Sequence, residues 1–286
     1  MQITNNLNLP QPLYDAIEAA YLSYDPGESD ITCSQLPSPP QMVELQRRHR
    51  EDIVVDVSKL IYAFLGTVMH HALEVFGQGG VRIVERRFYQ DVLGWKVGGQ
   101  VDLIENGVLD DYKLMSVWEA IFGLKKEKVI QLNILRWLAE RNGVPVTKIR
   151  IVGLFRDWTK SKSYESDYPS EQGMAEEVEM WSLSDTLDYV HDRVHLHQNA
   201  RAGHWDDCTE EERWAKPSKW AVMKKGQKRA MKLHDTEQKA VDYLTANVGK
   251  GVLSIVHRPG ENTRCEHWCD VKDFCIQYRE MNNDEP

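Results

Sequence analysis

The chain contains no run of apolar residues long enough to cross a membrane. Spanning a bilayer takes about 20 consecutive, predominantly apolar residues, and no stretch of the 286-residue sequence approaches that length. The opening residues, MQITNNLNLPQPLYDAIEAAY, also lack a basic segment followed by an apolar one, which is the pattern of a secretory signal. We therefore expect a cytoplasmic protein with no membrane partner.

Cysteine is scarce, and a positive net charge is absent. In a reducing compartment five cysteines predict metal binding or simple burial rather than a disulfide framework. The chain has 35 lysines and arginines against 44 acidic residues, which gives a formal net charge of -9. This balance argues against a general nucleic-acid coat protein, because lysine and arginine drive phosphate binding. Any contact with DNA must therefore be local.

The pattern of apolar and turn-forming residues predicts a mixed α/β protein. Helices are predicted at about 13–24, 38–50, 57–76, 129–141 and 184–200, strands at 81–89, 95–104, 108–114 and 148–155, an edge strand at 178–183, and a loop over 161–175. This order predicts a mixed central sheet flanked by helices, with helical N- and C-terminal additions. We divide the chain into an N-terminal helical segment (1–60), a core (61–160) and a C-terminal helical region (161–286).

A predicted hairpin brings two acidic residues and a lysine together. Asn106-Gly107 is a strong two-residue turn signal between two strands. The turn folds Asp102 on one strand back toward Asp111 and Lys113 on the next. Neighbouring carboxylates repel each other, and a hard cation such as Mg²⁺ relieves that repulsion while it binds a phosphate. The hairpin therefore predicts a site for a divalent cation.

This arrangement resembles the PD-(D/E)XK nuclease superfamily, in which an acidic residue on one hairpin strand precedes Asp/Glu-x-Lys on the next. The matching residues are Asp102 and Asp111-Tyr112-Lys113. The resemblance implies a restriction-endonuclease-like form of the sheet, Mg²⁺ or Mn²⁺ as cofactor, and catalytic roles for Asp102, Asp111 and Lys113. Asp-x-Lys alone is a weak signal, since its usual meaning on an exposed strand is a surface ion pair.

A second motif lies upstream of the hairpin. Gly66-Thr67-Val68-Met69-His70 resembles the Gly-x-x-x-His helix of the RecB-like branch, which includes the CRISPR-associated RecB-like exonucleases and AddB. The resemblance makes His70 a metal ligand, together with Asp102, Asp111 and the main-chain carbonyl of Tyr112. Without the hairpin motif, a lone histidine on a helix is more often a core or surface residue.

Downstream, Gln131 resembles the start of the branch's Gln-x-x-x-Tyr motif, although Leu135 stands at the tyrosine position. The resemblance gives Gln131 a catalytic role in orienting the attacking water or a phosphate oxygen. Glu85, on the strand before Asp102, is a candidate for a further acidic member of the site. A surface or ion-paired glutamate is the equal alternative.

Three cysteines cluster near the C-terminus as C-x3-C-x5-C, at Cys265, Cys269 and Cys275. In part of the resembling branch, three such cysteines join one distant N-terminal cysteine around a [4Fe-4S] cluster, usually with C-x2-C-x5-C spacing. Cys33 and Cys208 are the alternatives for the fourth ligand. Structural Zn²⁺, with His267 as an additional ligand, ranks second, and burial without a metal ranks third.

A local basic segment runs from Lys216 to Lys232 without an acidic residue. We predict that Lys219, Trp220, Lys224 and Lys225 contact nucleic acid, because aromatic rings beside lysines suit the stacking of single-stranded bases. The alternative is a solvated helix or loop surface.

Together these motifs predict a metal-dependent deoxyribonuclease. We expect phosphodiester hydrolysis of DNA by an exonuclease or end-processing enzyme in recombination, repair or phage replication. A catalytically silent nucleic-acid-binding or scaffold protein with the same fold is one alternative. A sequence-specific endonuclease is another, although the chain reveals no base-reading element.

Overall fold

The computed structural model describes residues 1–283, and side chains as far as residue 282. Within it the chain forms two compact units, Met1–Trp205 and a second unit that begins at Asp206. The predicted boundaries after residues 60 and 160 both lie inside the first unit, and the last three residues of the predicted region 161–286 lie outside the described part. No helix in the described part combines the length and apolarity needed to span a bilayer.

Short strands and longer helices alternate through the first unit. Its strands are β1 (Gln2–Thr4), β2 (Ile31–Thr32), β3 (Val54–Asp56), β4 (Ile83–Val92), β5 (Trp95–Glu105), β6 (Val108–Met115), β7 (Lys148–Phe155) and β8 (Gly173–Val178). Its α-helices are α1 (Gln11–Leu22), α2 (Pro40–Arg48), α3 (Ile61–Phe76), α4 (Trp118–Phe122), α5 (Lys126–Arg141) and α6 (Leu183–Arg201).

The central sheet of this unit is mixed. Its strand order is β2-β5-β6-β7-β8, and β4 also pairs with β5. The pairs β4/β5, β5/β6 and β7/β8 are antiparallel, whereas β2/β5 and β6/β7 are parallel. Helix α3 packs on β4 and β6, and α5 packs on β4, β5 and β7. The predicted α/β fold, with a mixed central sheet flanked by helices, is therefore confirmed.

The predicted hairpin joins β5 to β6. Asn106 and Gly107 have φ angles of 51° and 78°, the left-handed conformations that a two-residue type I′ turn requires. The strands pair from Glu105–Val108 to Leu103–Asp110, and their pairing then ends. The end of this ladder leaves an opening between β5 and β6 beside Asp102.

The core under the sheet is built largely on α5. Leu132, Leu135 and Leu138 of this helix are fully buried, and each such burial contributes about 1.5–3 kcal/mol. Gly99 of β5 permits the close approach, because a Cβ atom there would lie 2.7 Å from Leu135 Cδ2 and 2.9 Å from Leu138 Cδ1. The helix ends at Arg141, as predicted, and Gly143 with a φ of 78° follows it.

The edge strand β8 lies about five residues before its predicted position. Because its glutamates are exposed, β8 lacks the alternation of apolar and polar residues that predicts a strand. One of them, Glu177, binds Lys148 of β7 at 2.8 Å. Charged residues are common on edge strands because they discourage pairing with other chains. The segment around residues 173–177 therefore resembles a polar loop in sequence.

The second unit has a small antiparallel sheet of its own, in the order β11-β10-β12. Its elements are β9 (Ala215–Lys216), β10 (Lys219–Lys224), β11 (Lys232–His234), α7 (Glu237–Ala246), β12 (Leu253–Arg258), β13 (Glu261–Asn262), α8 (Thr263–His267) and α9 (Ile276–Asn283). Helix α7 packs on all three strands of the sheet. The basic segment, Lys216 to Lys232, thus runs from the end of β9 through β10 to the first residue of β11, whereas the sequence alone suggested a helix or loop surface as the alternative to a nucleic-acid contact.

Candidate metal centre

Two strands and a helix bring the first group of polar side chains together. His70 comes from α3, Glu85 from β4 and Asp102 from β5. His70 Nδ1 lies 2.9 Å from Glu85 Oε1 and 3.6 Å from Asp102 Oδ1. One ligand atom from each of the three residues lies within 4.8 Å of the others, so the group has the donor types and spacing that a divalent cation requires.

Asp111 and Lys113 lie beside this group on β6. Lys113 Nζ donates a hydrogen bond of 2.7 Å to Asp111 Oδ1. Asp111 is buried, and its negative charge helps to raise the pKa of Asp102. The structure therefore brings together His70, Asp102, Asp111 and Lys113. Glu85, which the sequence left as a candidate, lies beside His70 and Asp102 as well.

The main chain of Tyr112 faces the same opening. Its N–H donates a hydrogen bond of 2.6 Å to Asp102 Oδ2. Because the N–H and C=O of one strand residue point to the same side of the strand, the Tyr112 carbonyl is also directed toward the gap beside Asp102. This orientation agrees with the predicted use of that carbonyl as a ligand.

The buried charges shift the protonation equilibria of the centre. Burial, and then the negative charge of Asp111, raises the pKa of Asp102 to about 7. The hydrogen bond to Glu85 raises the pKa of His70 against the effect of burial. Burial lowers the pKa of Lys113, but the attraction of Asp111 and Asp102 more than offsets it, so this pKa lies above its usual value. A bound cation would relieve the excess negative charge.

These shifts predict that metal affinity depends on pH. A cation must displace the proton from Asp102 and find His70 neutral, so binding weakens as the pH falls through about 7. We expect Mn²⁺ to bind about tenfold more weakly at pH 6 than at pH 8 if one proton with a pKa of about 7 is displaced, and calorimetric titration at both values measures this. Equal affinity at pH 6 and pH 8 would contradict the assignment of Asp102 as a ligand.

Glu85 adopts a backbone conformation that is rare for a residue with a side chain. Its φ is 48°, and it is the residue of β4 skipped by the ladder between Val84–Leu103 and Arg86–Val101. The left-handed conformation costs about 1–2 kcal/mol, and such strain clusters at functional sites. Its Oε2 accepts a hydrogen bond of 2.7 Å from Gln100, while Oε1 faces His70. The signal that pointed to Glu85 as a member of the site was its position opposite Asp102 in the antiparallel pairing of β4 and β5.

The structure gives less support to the predicted role of Gln131. This residue is half-buried on α5, and its side chain makes no hydrogen bond with any residue in the described range 1–283. Leu135, at the tyrosine position of the resembling motif, is buried against Gly99. A polar role at position 135 is therefore excluded, and that of Gln131 stays a prediction.

Four of the five cysteines lie in the second unit. The thiol of Cys208 is close enough to Cys265, Cys269 and Cys275 that, after burial, their charges contribute to raising its pKa to about 12. Cys33 instead lies in the core of the first unit, with its Sγ 2.9 Å from where a Cβ on Gly99 would be. Of the two alternatives for the fourth ligand, Cys208 is the one beside the other three.

Polar contacts hold this four-cysteine group in place. The side-chain amide of Gln277 accepts from the N–H of Cys208 at 3.0 Å and donates to its carbonyl at 2.9 Å. The N–H of Tyr278 lies 3.4 Å from Cys275 Sγ, and the main chain of Val271 makes a hydrogen bond that lowers the pKa of Cys269. Hydrogen bonds to sulfur are typical of thiolates that ligate a metal.

The spacing of the sulfur atoms bears on the type of metal. Within the described residues, no three of the cysteine sulfurs lie within 4.8 Å of one another. Tetrahedral zinc, with Zn–S bonds of about 2.3 Å, requires sulfurs about 3.8 Å apart. His267, the extra candidate for zinc, lies 2.9 Å from Glu261 instead.

The residues predicted to contact nucleic acid are divided between two faces of the small sheet. Trp220 and Lys224 lie on one face of β10 and Lys219 on the other, because side chains alternate along a strand. Lys219 binds Asp235, and the Trp220 ring lies 4.5 Å from His257. Lys225 is exposed in the loop that follows. The four residues therefore do not form a single continuous surface.

Comparison with known proteins places few further constraints on this chain. No family model and no curated protein matches it. Among solved structures, one described as the crystal structure of SSO0001 is 18% identical, with 65% of this chain and 87% of that chain covered and a TM-score of 0.47. The functional assignment therefore depends on the residues of the site.

Proposed function

We propose that this protein is a metal-dependent deoxyribonuclease of the PD-(D/E)XK type, in the RecB-like branch, that processes DNA ends. The observation that carries the proposal is the convergence of His70, Asp102, Asp111 and Lys113 at the open end of the β5–β6 ladder. Two buried carboxylates, a histidine and an ammonium group around one opening match the chemistry of phosphodiester hydrolysis.

The donor set fits a hard divalent cation, Mg²⁺ or Mn²⁺. His70, Asp102, Asp111 and the Tyr112 carbonyl would hold the ion, which supplies a polarised phosphodiester and bound water of lowered pKa. Lys113, held by Asp111 at 2.7 Å, stabilises the negative charge that develops on the phosphate. Gln131 is proposed to orient the water or a phosphate oxygen. No covalent enzyme intermediate is needed.

Glu85 is proposed as a further ligand or as the group that orients His70. We expect Glu85→Gln to weaken Mn²⁺ binding about 10- to 100-fold, as for residues that orient metal ligands. Calorimetry measures the affinity. Glu105→Gln is the matched control, because Glu105 binds Arg82 at the exposed end of the same hairpin. Equal losses in both variants would point to a general effect on the sheet and against a role for Glu85.

The four-cysteine group is proposed to hold a [4Fe-4S] cluster, with Cys208 as the fourth ligand. Among the described residues no three cysteine sulfurs lie within 4.8 Å of one another, which supports the larger cluster, and structural Zn²⁺ is the alternative. Five cysteines without a disulfide framework suit the reducing cytoplasm, which is the proposed location.

The basic residues of the second unit are proposed to contact the phosphates of DNA. Lys224, the last residue of β10, and Lys225, the first residue of the exposed loop that follows, are the main candidates, with Lys219 and Trp220 on the same strand as Lys224. Replacing a lysine that contacts a phosphate weakens DNA binding about equally for all DNA sequences and reduces the salt dependence of binding.

A cleavage assay tests the proposed activity and separates it from its alternatives. Linear and circular DNA, single- and double-stranded, are incubated with Mg²⁺ or Mn²⁺. Cleavage confined to linear DNA supports exonuclease or end-processing activity, whereas fixed cuts in circular DNA support a sequence-specific endonuclease. Binding without cleavage in either metal would favour the silent scaffold and reject the proposed activity.

A further inference from the structure

Two large aromatic rings are stacked on the surface of the first unit, directly after the strand that carries Asp111 and Lys113. Trp118 and Phe122 begin and end the short helix α4. Their ring centroids are 5.7 Å apart and their planes are inclined by 9°. Trp118 is 52% exposed and Phe122 is 80% exposed. A stacked pair with so much apolar surface in water indicates a surface that contacts a ligand.

The helix that carries the pair is anchored to the sheet. Val117 is buried, and its N–H donates a hydrogen bond of 2.7 Å to Asp157 Oδ1, while the Ser116 hydroxyl donates to the other oxygen of Asp157. Lys128 of α5 binds Glu119 of α4 at 2.7 Å. These contacts fix both sides of the helix, so the exposure of the two rings is not explained by a loosely held segment.

The pair is within reach of the metal centre. Trp118 is five residues after Lys113 in the chain, which limits the distance between their Cα atoms to about 17 Å at 3.3 Å per residue. Successive phosphates of a DNA strand are about 3.4 Å apart along the helix axis. A strand bound at Lys113 therefore reaches the aromatic pair within a few nucleotides.

Cationic residues lie next to the end of β6 and follow the aromatic pair in the chain. The N–H of Arg156 donates to the carbonyl of Met115, the last residue of β6, and its guanidinium lies 4.6 Å from the ring of Tyr62 on α3. Lys125 and Lys126 follow the pair at the start of α5. Exposed aromatic rings with flanking cations are the composition of single-stranded nucleic-acid tracks, in which bases stack and phosphates are neutralised.

We propose that Trp118 and Phe122 form a stacking platform for an unpaired base of the DNA strand that enters the metal centre. This inference rests on the proposed nuclease function and adds a preference for single-stranded ends to it. The nearly parallel, offset rings leave no gap for a base between them. The base therefore adds to an outer ring face, of which that of Phe122 is the more exposed.

Binding measured without metal tests the platform independently of catalysis. Fluorescence anisotropy of a labelled 12-nucleotide oligo(dT), and of a blunt duplex of equal length, is measured in EDTA. We expect the double variant Trp118→Ala, Phe122→Ala to bind the single strand at least about tenfold more weakly, equal to about 1.4 kcal/mol. Binding of the blunt duplex changes much less. The conservative Trp118→Phe variant is expected to keep most of the affinity.

Phe76→Ala is the matched control, because Phe76 is 84% exposed at the far end of α3. Unchanged binding of oligo(dT) by the double variant overturns the platform, as does an equal loss in the control. A second copy of this chain is the other partner that could cover the two rings, and sedimentation velocity tests it. If the wild type is a dimer and the double variant is a monomer, the rings belong to a dimer interface and the proposal is overturned. Wild-type protein that cleaves no DNA with Mg²⁺ or Mn²⁺ rejects the nuclease function instead, whatever the binding result.

Discussion

Replacing Asp111 by asparagine is expected to reduce metal-dependent DNA cleavage by about 100- to 1,000-fold or more. The amide has nearly the shape of the carboxylate but no negative charge. The variant therefore loses a proposed metal ligand and the group that binds Lys113 at 2.7 Å. Single-turnover cleavage of linear DNA, with saturating Mg²⁺ or Mn²⁺, measures the chemical step.

The neighbouring residue supplies a closely matched control. Asp110 lies next to Asp111 on β6, but its carboxylate makes paired hydrogen bonds of 2.7 and 2.8 Å with Arg150 of β7. We expect Asp110→Asn to lower stability modestly and to keep the cleavage rate within a few-fold of the wild type. Wild-type cleavage by Asp111→Asn would reject the proposed centre. Equal losses in both variants would indicate damage to the sheet instead.

Replacing Cys208 by serine is expected to remove the metal proposed for the second unit and to destabilise that unit strongly. A metal held by four cysteines contributes folding free energy directly, on the order of 10 kcal/mol for structural zinc sites. Burial raises the pKa values of Cys208, Cys265 and Cys269, that of Cys269 to about 11, so without a metal these three thiols stay protonated at neutral pH. Metal binding therefore releases protons.

Metal analysis of anaerobically purified protein measures this outcome. Iron and sulfide with visible absorption identify a [4Fe-4S] cluster, whereas zinc in a colourless protein identifies the alternative. Cys33→Ala is the control, since Cys33 lies in the core of the first unit and its loss should leave the metal content unchanged. Loss of the metal from Cys33→Ala but not from Cys208→Ser would reverse the assignment of the fourth ligand. Wild-type protein with neither metal would reject the site.

Local signals predicted the hairpin and most elements of the central sheet. The Asn106-Gly107 turn requires two left-handed residues, a demand visible in the sequence alone. Helix α5 packs on both the sheet and α6, so its apolar segment and the Asn142-Gly143 that follows it made its position readable as well. Strand β8 was placed too late because its glutamates follow the rule for exposed edges rather than the alternation of a half-buried strand.

The role of Glu85 could not be predicted to the same extent. Its side chain meets His70 from a residue at which the backbone turns to a φ of 48°. Nothing in the residue type predicts a left-handed glutamate inside a strand, since intrinsic preference opposes it. The basic segment was hard to interpret for a related reason: pairing with β12, distant in sequence, makes Lys219–Lys224 a strand and separates Lys219 from Lys224 across the sheet.

The sequence by itself determined the turn, the helix and strand periods, and the residue types able to hold a cation, because each depends on local conformation or on chemistry. The tertiary structure decided which of these groups meet. It placed Glu85 beside His70, Cys208 beside the other three cysteines of the second unit, and the rings of Trp118 and Phe122 in solvent. The first two are contacts between residues far apart in the chain, and the third depends on whether other residues cover the rings. Only the packed fold determines either.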